Sequence, residues 1–174
     1  EKIVLNTFDV AFHIIGGGEE GGKKNIRTKE EADHSLPYMM AAALLDGQVL
    51  PAQYQPDRIL RDDIQTLLQK VEVYEKPAYS DRFPAEEACD ITIHFKDGRT
   101  LYREKRDYEG FHTRPASWDF ICEKFNALTQ DFANADLRNK IIATVQNLED
   151  YTIRDLMSLL QKVNSVANKT IHHA

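Results

Sequence analysis

The sequence predicts an α+β fold: a small antiparallel sheet of about four strands, covered on one face by helices, with further helices at the C-terminal end. Three observations lead there. Short apolar runs with two-residue alternation occur at Lys2–Thr7, Val71–Glu75 and in a pair of segments around Asp97-Gly98. Between and after them lie segments of helical periodicity that open on capping residues. Strands and helices do not alternate as a regular βαβ series, and no fixed-period repeat is present. The 174 residues favour one domain over two. Within that length, residues 1–130 read as the α+β part and 131–174 as a helical segment.

The elements follow in order. Lys2 to Thr7 reads as a buried strand with Ile3 and Leu5 on one face and Val4 opposite. Asp9 to Ile15 forms a short helix, stopped by Gly16-Gly17-Gly18, and glycines and charges make Gly16 to Asn25 a loop. Thr28 and Glu31 have capping-box spacing, in which hydroxyl and carboxylate each satisfy an orphan N–H. The helix they open is expected to run to about Asp46 and end at Gly47. Pro37 lies within it and should kink it, having no N–H for the Asp33 carbonyl.

A further helix spans about Pro56 to Lys70, with Ile59, Leu60, Ile64, Leu67 and Leu68 inward, and Val71 to Glu75 is a strand. In the hairpin, Cys89, Ile91, Ile93 and Phe95 alternate with polar neighbours, Asp97-Gly98 turns the chain, and Thr100 to Arg106 returns. Trp118–Asn126, Leu137–Gln146 and Thr152–Val163 are amphipathic helices, the last two suited to pack on a neighbour outside this chain.

Composition narrows the function. Twenty-two basic against 28 acidic residues give a net charge of −6, which argues against nucleic-acid or anionic-membrane binding. Mean hydropathy is −0.50, with no apolar stretch near the roughly 20 residues of a membrane helix. Cys89 and Cys122 are too few for a disulfide framework and read as reduced, buried thiols of a cytoplasmic protein. The start at Glu1-Lys2-Ile3, already strand-like and without Met, points to a piece of a longer polypeptide.

Several motifs fall short of chemistry. Gly17 to Lys23 has phosphate-loop spacing, but Lys24 stands where Ser or Thr should hold magnesium, and Glu19 and Glu20 would repel phosphate. The histidines at 13, 34, 94, 112, 172 and 173 make no His-x-x-x-His pair, and no cysteine or serine motif of a nucleophile is present. No metal and no cofactor are therefore expected.

On the helix after Thr28, Ala32, Leu36, Met39 and Ala43 form the apolar stripe, while His34 and Tyr38, four apart, stack on the opposite side. Such a pair can act as acid, base or substrate clamp. Geometry alone favours the plainer reading, a solvated face with a tyrosine that packs on a neighbour, since exposed His and Tyr are common.

The string Glu30-Glu31-Ala32-Asp33-His34-Ser35-Leu36-Pro37-Tyr38, followed by Ala41 to Gly47, resembles the second domain of the MmgE/PrpD family. Val71-Glu72-Val73, Lys96-Asp97-Gly98, the Gly110–Ser117 turn and Leu148-Glu149-Asp150 follow in matching order, so the resemblance covers about residues 1–163. Members include dehydratases, decarboxylases and an epimerase of small polycarboxylates, with an all-helical first domain and an α+β second domain described as a lid.

The resemblance implies that this chain is a lid plus C-terminal helices of a metal-independent lyase or isomerase. Its partners would be a small polycarboxylate and the N-terminal helical domain of the same polypeptide, with a homodimer expected for the full-length protein. Tyr38 matches the family's lid tyrosine and His34 the neighbouring motif position, so both carry over as catalytic candidates. Phe111 follows Gly110 where relatives often carry histidine, so no histidine role transfers to that turn. The competing class is a non-catalytic α+β binding or interaction domain.

Overall fold

The computed structural model describes residues 1–18 and 21–163. Glu19, Glu20, His172 and His173, weighed above, lie outside the described residues. The chain divides into two compact units, Glu1–Pro115 and Ala116–Ala174.

In the first unit β1 (Lys2–Thr7) leads into α1 (Asp9–Ala11) and a π-turn (Phe12–Gly16), which Gly17 ends at φ 102°. After the glycine loop come α2 (Lys29–Asp33) and α3 (Leu36–Asp46). A 3₁₀ turn (Pro51–Tyr54) precedes α4 (Pro56–Ile59) and α5 (Asp62–Leu68). The remaining elements are β2 (Val71–Glu75), α6 (Pro77–Ser80), β3 (Cys89–His94) and β4 (Thr100–Lys105).

Among the described residues four strands form a sheet in the order β2-β1-β3-β4. β1 pairs antiparallel with β3, and β3 with β4, as expected. β1 and β2 are parallel, Ile3 opposite Val71 and Leu5 opposite Val73, so the sheet is mixed. The long helical connection between β1 and β2 is what a parallel crossover requires. The register aligns Ile3 and Leu5 with Val71 and Val73 on one side and with Ile93 and Ile91 on the other, making one apolar face.

Two helices anticipated as continuous are each broken. α2 opens on the expected capping box: Glu31 N–H donates to Thr28 Oγ1 at 3.3 Å, and Thr28 N–H to Glu31 Oε2 at 3.0 Å. It then stops at His34, and α3 starts afresh with Ser35 as its N-cap, extended at φ −131° and ψ 107°. The Ser35 hydroxyl accepts from Tyr38 N–H at 3.1 Å and donates to the Lys23 carbonyl at 2.6 Å. Pro37 thus sits in a first turn, where its missing N–H costs nothing, and it does not kink a helix. The second break is at Leu60-Arg61. Leu60 points outward, 48% exposed, instead of joining Ile59, Ile64 and Leu68 inside.

The core of this unit is built on Ile26, Ala32, Tyr38, Ala41, Ala42, Ile59, Ile64 and Leu68. Each fully buried Ile or Leu contributes roughly 2 kcal/mol of apolar burial. The buried face of α3 is therefore Tyr38, Ala41 and Ala42, and Ala43, expected inside, is exposed.

The second unit holds α7 (Trp118–Thr129), α8 (Ala135–Gln146) and α9 (Ile153–Leu160). Ser117, Asn134 and Thr152 cap them, each accepting a backbone N–H three residues on. Ala133, Leu137 and Ile141 form its small core, with Phe125, Leu159 and Val163 packed on it. On α9, Ile153, Met157 and Leu160 present an exposed apolar edge. Among the described residues no helix is long and apolar enough to cross a membrane.

Candidate functional site

The break at Ser35 separates the two candidate residues. His34 closes α2 while Tyr38 lies in the first turn of α3, so the shared helical face does not exist. Tyr38 is 0% exposed, against the expectation that it points away from the core. Its hydroxyl donates to the main-chain carbonyl of Gln53, and burial pushes its ionisation up to about 12.

A charged clamp surrounds that contact. Gln53 Nε2 donates to Asp46 Oδ2 at 3.0 Å. Arg58 grips Asp46 bidentately, Nε to Oδ2 and Nη2 to Oδ1, both at 2.8 Å, and reaches Asp63 Oδ1 at 3.0 Å through Nη1. The guanidinium holds the Asp46 carboxyl down to about 2. The end of α3, the 3₁₀ turn and the starts of α4 and α5 are thereby tied together around the Tyr38 hydroxyl.

His34 is in the opposite situation, its side chain 63% exposed. Its Nδ1 lies 2.5 Å from Asp33 Oδ1 and 3.2 Å from the Glu30 carbonyl oxygen. Lys29 Nζ holds the other Asp33 oxygen at 3.1 Å. Hydrogen bonds from His34 first, and from Lys29 next, hold the Asp33 carboxyl below its ordinary range. The arrangement is an oriented imidazole on an open surface. It can accept or release a proton, or bind a carboxylate when charged.

A second polar cluster was not legible in the sequence. Asp90, 2% exposed in β3, accepts from Lys76 Nζ at 2.8 Å, Tyr79 Oη at 2.6 Å and Asn6 Nδ2 at 2.7 Å. Burial opposes the ionised form of Asp90, but these three bonds outweigh it and hold the carboxyl low. Asp90 is one of the polar neighbours in the alternation Cys89, Ile91, Ile93, and only the partner residues of α6 reveal that this face is sealed. The cluster fastens α6 to the sheet.

The remaining candidates are structural. Lys24 Nζ donates to the Gln69 carbonyl at 3.0 Å and Gln69 Nε2 to the Lys24 carbonyl at 2.8 Å, stitching the glycine loop to the end of α5. The loop does not lead directly into a helix, as a phosphate loop must, because α2 begins only at Lys29. Cys89 and Cys122 are free thiols, half-buried, and burial raises that of Cys89, away from the thiolate a nucleophile needs. His94 and His112 are exposed. Among the described residues no group of three or more His, Cys, Asp or Glu could hold a metal ion.

Residues 1–150 match the MmgE/PrpD C-terminal domain. Cis-aconitate decarboxylase of Mus musculus is 28% identical over 171 residues, 97% of this chain and 33% of that protein. The Homo sapiens cis-aconitate decarboxylase is 31% identical over 137 residues, 78% of this chain and 28% of its own length. The 2-methylcitrate dehydratase of Salmonella typhimurium (strain LT2) is 29% identical over 119 residues, 66% and 23% of the two chains. The chain thus spans a third or less of the length of these relatives. By the match over most of its length, the chain belongs to the MmgE/PrpD family and carries its C-terminal domain.

Proposed function

We propose that this chain is the lid portion of a metal-independent lyase, a dehydratase or decarboxylase, or of an isomerase, acting on a small polycarboxylate. The family match over residues 1–150 carries the reading, together with relatives named for cis-aconitate decarboxylation and 2-methylcitrate dehydration. Such reactions need a group that moves a proton beside a carboxylate. His34 is the exposed, oriented imidazole within the family's motif, and it meets the substrate. Tyr38, seated on the Gln53 carbonyl, holds the start of α3 in place, and it would reach substrate only through release of that bond. The rest of the acid–base set and the cations that bind the carboxylates come from the N-terminal helical domain of the full-length protein. The exposed Ile153, Met157 and Leu160 of α9 suit the chain to pack against that domain.

The test is turnover of cis-aconitate and of 2-methylcitrate by the full-length protein. His34→Ala should lower kcat by about a hundredfold or more, the range of a lost general acid or base. Near wild-type turnover of the folded variant would remove His34 from the chemistry.

A further inference from the structure

We infer that Asp33 is a positioning residue: it locks His34 in the tautomer that carries its proton on Nδ1, so that the Nε2 lone pair is what the substrate meets. The inference rests on the reading that His34 reacts, and it adds which nitrogen does so and what sets it.

The argument is one of donors and acceptors. Nδ1 faces two oxygens, Asp33 Oδ1 at 2.5 Å and the Glu30 carbonyl at 3.2 Å. A main-chain carbonyl only accepts, and so does an ionised carboxylate. Were Nδ1 the bare nitrogen of a neutral ring, three lone pairs would converge with no hydrogen among them. Only a protonated Nδ1 satisfies the geometry. Asp33 stays ionised: hydrogen bonds from His34 first, and then from Lys29 to its second oxygen at 3.1 Å, hold its carboxyl below the usual range. The hydrogen bonds bring two charged side chains to this corner of α2: Asp33, on the ring itself, and Lys29, on the far oxygen of Asp33.

The consequence is mechanistic. A proton taken from carbon beside a carboxylate arrives at Nε2, the Nδ1 proton stays in its bond to Asp33, and the imidazolium so formed faces the carboxylate. Returning the Nε2 proton to the carbanion or to a leaving hydroxyl completes the exchange. A ring with its proton on Nε2 could do neither from the neutral state. The sequence hides this pair, because neighbours i and i+1 on a helix do not face each other. They meet only because α2 ends at His34, whose φ of −110° and ψ of 28° turn its side chain back toward Asp33.

Nuclear magnetic resonance on the 174-residue chain with ¹⁵N-labelled histidine tests it without any assay of turnover. The His34 signals, identified by their loss in His34→Ala, report which ring nitrogen is protonated above the ring's titration. The wild type should show Nδ1–H. Asp33→Ala should move the population toward Nε2–H, since the carboxylate that accepts the Nδ1 proton is gone. Wild-type Nε2–H, or an Asp33→Ala spectrum with an unchanged tautomer, overturns the inference.

In the full-length enzyme Asp33→Ala should then lower kcat tenfold or more with KM little changed, and Asp33→Glu should recover part of it. A loss in His34→Ala without one in Asp33→Ala sinks Asp33 alone. Unchanged turnover in both sinks the reading of His34, and the positioning role with it.

Discussion

Tyr38→Phe separates a tyrosine that holds the fold from one that reacts. The substitution keeps the ring in the core and removes only the hydroxyl, which is fully buried and bonded to the Gln53 carbonyl. A net hydrogen bond contributes about 0.5–1.5 kcal/mol, and a carbonyl stranded away from water adds to the loss. Gln53 is itself buried, so water does not readily replace the phenol, and a destabilisation of about 1–3 kcal/mol follows. Urea unfolding of the 174-residue chain followed by far-ultraviolet circular dichroism measures it. Tyr102→Phe in β4 is the control: that ring is 56% exposed, and its loss of a hydroxyl should stay within about 0.5 kcal/mol. If the proposed activity holds for the full-length protein, the same Tyr38 variant should retain most of its kcat when the hydroxyl only positions α3. Stability equal to wild type would refute the reasoning, because the hydroxyl would then be held by nothing in the core.

Two further perturbations address the polar networks. The folded Asp46 carboxyl sits at about 2, below its ordinary 3.8. Its contribution is therefore complete above the ordinary value and is lost as pH falls through the folded one. Partial solvent screening reduces it to about 1–2 kcal/mol between pH 5 and 2, and Asp46→Asn should flatten the acid limb of the stability profile by that amount; an unchanged slope would show that the Arg58 pair does not hold the carboxyl down. Asp90→Ala takes the acceptor from the buried Tyr79 hydroxyl and from Asn6, and breaks an ion pair whose Lys76 end is 40% exposed, so it should cost about 1–3 kcal/mol in urea unfolding, and a loss under about 0.5 kcal/mol would mean that α6 is fastened by other contacts.

Much of the fold was legible because its signals are local. Asp97-Gly98 turns the hairpin with Gly98 at φ 85°, Thr28 and Glu31 cap α2, and Gly47 ends α3 at φ 71° with its N–H on the Ala43 carbonyl. The misreadings came from tertiary demands on local pattern. Ser35 looks neutral inside a helical run until the Lys23 carbonyl, twelve residues back, is found bonded to its hydroxyl. Leu60 fits the inward stripe until Arg58, anchored to Asp46 and Asp63, fixes the turn that sends it outward. The parallel pairing of β1 and β2 leaves no mark in either strand. Asp90 illustrates the same limit: alternation says which residues share a face, and only the opposing helix says whether that face is wet.

The site follows from the same break. A continuous helix would have put His34 and Tyr38 on one open surface, where resemblance ranks the tyrosine first. The cap at Ser35 instead sends one residue to water and the other to the core, and that split changes what each can do. An ionisation pushed from 10.0 up to about 12 leaves Tyr38 with about a hundredfold less tyrosinate at neutral pH. Its proton is harder to give away, though the hydroxyl remains a sound hydrogen-bond donor. Catalytic proton transfer favours a group whose pKa lies near the working pH, and imidazole is the side chain nearest to it. His34 has an exposed ring and an oriented Nδ1, while Tyr38 has a carbonyl partner that must be vacated first. Under the proposed function the histidine is the better candidate in this domain to carry the proton, and the tyrosine is the post on which the histidine's neighbouring helix is set.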